Sequence, residues 1–200
     1  MLIVDVEGSG LDYEKCSIVS VGALDLAHPL QQFYEECRIW DGAHIESGAT
    51  AVHGMSDESI TDVKKQSEED LVHAFIAFAS GIDDTTFGGQ NISFDRDFLK
   101  AAAKRAGHTN WPFAHRTIDT HTLAWMHMIK RGVTPPVDAV KKHSALNLDL
   151  VLNYCGIPEE PKPHNALTGA KCHAEVISRL LYDTKLLPEF EKFEIPWTSV

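Results

Sequence analysis

The chain opens on an apolar run broken by two acids, "LIVDVE" at residues 2–7, and then turns through Gly8-Ser9-Gly10. A short run of this kind reads as a buried strand leading into a tight turn. Side chains alternate along a strand, so Asp5 and Glu7, two apart, project from the same face. Two carboxylates on one face of an apolar strand repel each other and are expensive to bury unpaired. Something positive must sit between them. A hard divalent cation such as Mg²⁺ or Mn²⁺ takes an all-oxygen donor set of that kind. The D-x-E pattern is common by itself, so the rest of the chain has to decide what these two acids are for.

The following segments suggest an α/β order. "SIVSVGALDL" (17–26) and "QQFYEECRIW" (31–40) read as two more strands, with "AHP" as the turn between them, and three early strands on short links suggest an antiparallel start to a sheet. "EEDLVHAFIAFAS" (68–80) carries Leu71, Phe75 and Phe78 at helical spacing before Gly81. A short strand is expected at 85–90, a helix at 93–107, and a strand running into a helix over 117–132 with Asp119 as its N-cap. Residues 133–143, with two prolines, read as a loop. Helices follow at 146–156 and roughly 165–183. Strands first and strand–helix alternation afterwards predict one α/β sandwich around a mixed sheet, spanning residues 1–183, with a tail at 184–200.

Composition narrows the function classes. Among 200 residues, 44% are hydrophobic and 24% charged, the balance of an ordinary globular domain. The acids in the first apolar segment argue against a signal peptide, and no apolar run approaches the roughly 20 residues of a bilayer crossing. A cytoplasmic protein is the expectation. Four scattered cysteines with no C-x-x-C pair read as buried free thiols. The net charge of −11 argues against broad coating of nucleic acid, because that affinity comes from Lys and Arg neutralising phosphates. It leaves room for an enzyme that grips a few nucleotides at one chain end.

Two more residues stand where chemistry could use them. Asp95, in "GGQNISFDRDFL", opens a helix after a short strand, where a first-turn acid also favours the helix dipole and Asp97 could serve equally. His164 follows "PKP" at the start of the last helix, where an imidazole can act as a general base near neutral pH.

In order and context these segments resemble the DEDDh 3′→5′ exonucleases, a family with a ribonuclease H-like fold that includes the proofreading epsilon subunit of bacterial DNA polymerase III. "LIVDVEGSGLD", "SIVSVGAL", "AVHGMSDE" (51–58), "GGQNISFDRDFL", "TIDTHTLA" and "PHNALTGAKCHAEV" are similar to successive family segments across nearly the whole chain. The resemblance implies a three-layer sandwich with a central mixed sheet, and hydrolysis of phosphodiester bonds at nucleic-acid 3′ ends. It implies two Mg²⁺ or Mn²⁺ ions held by Asp5, Glu7 and Asp95, with His164 deprotonating the attacking water. It also implies a nucleotide pocket lined by Gly8, Ser9 and Leu11, with His53, Met55, Asn91 and Phe94 flanking base and sugar. The expected partner is the 3′ end of single-stranded DNA or RNA. No polymerase-tethering extension is expected, since the chain ends about seventeen residues after the last helix.

One position departs. The family places its fourth acid five residues after the histidine, and here that position is Gly169. Thr168, His173 one turn further along the same helix face, or a water molecule are the replacements open to it, and Glu175 is expected to point elsewhere. Two readings follow: an exonuclease with an altered first metal site, or a nucleic-acid- or nucleotide-binding pseudoenzyme that keeps the cleft.

Overall fold

A computed structural model describes residues 1–198. Five strands form one mixed sheet: β1 (Leu2–Gly8), β2 (Ile18–Asp25), β3 (His28–Glu36), β4 (Phe87–Gly89) and β5 (Thr117–Asp119), in the order β3-β2-β1-β4-β5. The first three pair antiparallel, as their short links require, whereas β4 and β5 run parallel to β1 through helical crossovers. The helices are α1 (Ser47–His53), α2 (Asp57–Ile60), α3 (Glu68–Ala79), α4 (Ser93–Arg105), α5 (Thr120–Lys130), α6 (Leu148–Tyr154) and α7 (Ala166–Tyr182).

The alternation of β1 assigns its two faces. Leu2, Val4 and Val6 enter the core shared with α3 and α4, through Leu71, Phe75, Phe98 and Leu99. Ile3 instead packs on Ala170, Ala174 and Ile177 of α7. Asp5 and Glu7 share the parity of Ile3, so they look toward α7 and not into the aromatic core. The helix approaches closely because its sheet-facing residues are small and β2 offers Gly22: a Cβ at Gly22 would overlap the Ala166 carbonyl and the Leu167 nitrogen. Asn165 caps α7, its side chain accepting from the Leu167 and Thr168 N–H groups at 3.1 and 3.2 Å.

The parallel ladder between β1 and β4 covers only Leu2–Phe87 and Ile3–Gly88. Beyond Ile3 the two strands part and a crevice opens at their carboxyl ends, the usual ligand position in a parallel α/β sheet.

Some local expectations shift. Strand β3 begins at His28 and ends at Glu36, so "AHP" is partly strand and residues 37–40 are not. The short helices α1 and α2 carry no long apolar period and were not expected. Residues 184–198, expected as a tail, pack against α5, α6 and α7 through Leu187, Phe190, Ile195 and Trp197. Arg179 ties them down: its guanidinium pairs with Glu175 at 2.8 Å and donates to the carbonyls of Cys155, Phe190, Phe193 and Glu194. Glu175 accepts from the Leu186 and Leu187 N–H groups, so it does point away from Gly169. The four cysteines are buried. Among the described residues no helix is long and apolar enough to cross a membrane.

Candidate active site

The crevice gathers the residues singled out for chemistry. Asp5 and Glu7 from β1, Asp95 from the first turn of α4, and His164 from the loop before α7 line one cleft of about 190 Å³. Asn91, Phe94, Glu160 and His173 line it with them. Asp95 is locked in place because the Val6 N–H, freed where β4 diverges, donates to its Oδ1 at 2.8 Å. His164 is held from the backbone, its N–H donating to the Val52 carbonyl at 3.0 Å. Asp97 is turned away and pairs with Arg96.

The electrostatics are those of acids forced together. Burial, then the charge of Asp95 and next that of Glu7, hold the Asp5 carboxyl well above its usual range. Burial likewise raises Asp95, against the lowering pull of the Val6 N–H. Glu7 is pushed up to about 7 by burial and by Glu160. Among the described residues the one ion-pair partner at this cluster is His164, whose Nδ1 lies 3.6 Å from Glu160 Oε2. No three of the described acids and imidazoles already converge as a closed metal cage. An all-oxygen set this crowded fits hard divalent cations, whose charge would offset the repulsion.

Beside this cleft lies a groove of about 380 Å³ that shares Val6, Glu7 and Phe94 with it. Gly8, Leu11 and His53 line the groove, and Leu11 is 76% exposed at its rim. The Met55 N–H donates to His53 Nδ1 at 3.1 Å, while His53 Nε2 is buried without a partner. Accepting at Nδ1 places the proton on Nε2 in the neutral ring, a donor buried beneath the groove wall. Two residues expected here are placed elsewhere. Ser9 is fully buried, its hydroxyl donating to the His44 carbonyl and accepting from the Ser17 N–H. Met55 packs against Val19, Ile39 and Ile60. The family resemblance put them near the pocket, and the local turns aim them behind it.

At Gly169 the helix backbone passes so near β1 that a Cβ would overlap Asp5 Oδ2 and lie 2.8 Å from its Cγ. The space an acid would need is held by Asp5 itself. Gly169→Asp is therefore expected to cost about 1–3 kcal/mol by overpacking, a drop in Tm of about 2–12 °C. A variant melting at or above the wild-type temperature would show that α7 and β1 have room to spare. His173, one turn on, lines the cleft and is 2% exposed, with its Nδ1 turned to the backbone of β1 and β4 beside Gly89. Burial pushes its pKa down to about 4, so it is a neutral imidazole. Glu160 is not among the residues expected from the sequence, whose candidate replacements all follow His164. The one signal was its place in "PEEPKPH", four residues before the histidine.

A family model described as exonuclease, RNase_T, matches residues 2–177. Ribonuclease T of Yersinia pseudotuberculosis is 27% identical over 168 residues, a match covering 72% of this chain and 77% of that one. Among solved structures, E. coli exonuclease I in complex with a dA16 oligonucleotide superposes with a TM-score of 0.67 at 15% identity. That likeness covers 90% of this chain and 40% of the exonuclease I chain, so this chain spans well under half of that protein. A zinc-bound form of the E. coli exonuclease I complex with single-stranded DNA has a TM-score of 0.69 at 16% identity, covering 90% of this chain and 39% of that one. At such identities the structural likeness speaks for the ribonuclease H-like fold.

Proposed function

This chain belongs to the DEDDh 3′→5′ exonuclease family, and from that premise we propose that it removes nucleotides from the 3′ ends of single-stranded DNA or RNA. The observation that carries the reading is the convergence of Asp5, Glu7, Asp95 and His164 on one cleft beside a groove of nucleotide size. Asp5, Glu7 and Asp95 would hold Mg²⁺ or Mn²⁺. A bound pair of such ions supplies positive charge to both the attacking and the leaving oxygen of an in-line displacement.

The chain's own groups do the rest. His164, whose Nδ1 stands 3.6 Å from Glu160 Oε2, would take the proton of the attacking water. Phe94 and Leu11 present apolar surface to its base. Phe94 is braced against Phe98 with ring centroids 4.7 Å apart, so it forms a firm wall for stacking. The net charge of −11 keeps the grip short, confined to the nucleotides whose phosphates meet the metal-holding acids.

Gly169 favours a second reading, a binding protein with the same cleft and little turnover. Incubating the protein with 5′-labelled single-stranded DNA and RNA oligonucleotides and Mg²⁺ or Mn²⁺ separates the two. A ladder shortening from the 3′ end, stopped by excess EDTA, is the expected result, and the faster ladder identifies the preferred sugar. Retention of the oligonucleotides without shortening in either metal would leave binding alone.

A further inference from the structure

We propose that Glu160 supplies the fourth metal-holding carboxylate of this cleft, in place of the acid that the family pattern puts at position 169; the proposal rests on the exonuclease reading above. Glu160 is 6% exposed, in the loop between α6 and α7, and faces the same cleft as Asp5, Glu7 and Asp95. With it the cleft again holds four carboxylates. The longer glutamate side chain reaches in from the loop, on a path that does not require the room at Gly169 taken by Asp5.

Holding the loop together does not account for this placement. Glu160 Oε1 accepts from the Asn165 N–H at a long 3.4 Å, and Oε2 stands 3.6 Å from the His164 imidazole. A neutral glutamine could make the first contact without burying a charge. Among the described residues no lysine or arginine pairs with Glu160 to offset that burial, and three other acids lie across from it. A buried carboxylate facing carboxylates is destabilising until a cation joins them.

The test is Mn²⁺ titration of the full chain by calorimetry, with melting curves taken with and without Mn²⁺. Glu160→Gln is expected to weaken Mn²⁺ binding at least about 10-fold, the low end of what lost support at a metal site costs. It should also shrink the Mn²⁺-induced rise in Tm while leaving the metal-free Tm equal to or above wild type, a pair of opposite effects that a purely structural glutamate would not produce. Wild-type Mn²⁺ affinity in a folded Glu160→Gln protein would overturn the proposal. Should that variant fail to fold, Glu160→Asp keeps the charge but withdraws it by one methylene, and the same weakening is expected there, with wild-type affinity again overturning it. Oligonucleotide shortening measured in parallel separates this proposal from the one it rests on. Shortening by wild type with unchanged Mn²⁺ affinity in the variant sinks Glu160 and leaves the exonuclease. Weakened Mn²⁺ binding in the variant without shortening by wild type supports Glu160 and sinks the exonuclease.

Discussion

Asp5→Ala is expected to abolish 3′ shortening of a labelled oligonucleotide while the protein stays folded. Asp5 sits at the centre of the acidic cluster, with Asp95, Glu7 and Glu160 all acting on it. Losing a residue that merely orients a metal ligand costs about 10–100-fold, so losing Asp5, proposed above as a ligand itself, should cost at least about 100-fold. Stability should not fall with activity, because the alanine removes a carboxylate that its neighbours repel. Rates are best compared in Mn²⁺ on identically purified wild type and variant, with circular dichroism confirming the fold. A variant as fast as wild type, with contaminating nuclease excluded, would remove the active site from this cleft.

The largest effect on stability is expected far from the cleft, at Arg179→Ala. Arg179 and Glu175 are both 0% exposed, and the guanidinium holds four backbone carbonyls of the segments after α6 and α7. Removing it strands a buried carboxylate, a change that costs about 3–5 kcal/mol. For a chain of this size that is a fall in Tm of about 6–20 °C. The orphaned carbonyls add to the loss, and residues 184–198 should become open to protease. A thermal melt with a loss below about 1 kcal/mol would show that this segment is held by its apolar contacts alone. Cleavage chemistry should survive in whatever fraction remains folded, since no group of the cleft touches Arg179.

These two expectations stand at opposite ends of what could be read from residues alone. The parity of Asp5 and Glu7 follows from the two-residue period of a strand. The period of Leu71, Phe75 and Phe78 and the glycine stops delimited the longer helices in the same way. Those signals are local, and local sterics dictate them. The short α1 and α2 escaped because seven and four residues hold too little of a 3.6-residue period to register.

Residues Asp5, Glu7, Asp95 and His164 were legible because each sits in a local frame, a strand, a helix start or a proline-bounded loop, that survives in the folded chain. Glu160 shares the proline-bounded loop of His164, but that frame does not say that its side chain turns in beside β1, some 150 residues earlier in the chain. Gly169 shows the same division: the sequence alone determined that an acid was missing there, and only tertiary packing decided that Asp5 would fill the space and that another side of the cleft would bring a carboxylate in. The physical reason is one of range. Backbone periodicity and caps act within a few residues, whereas a metal site is made of charges brought together across the whole fold.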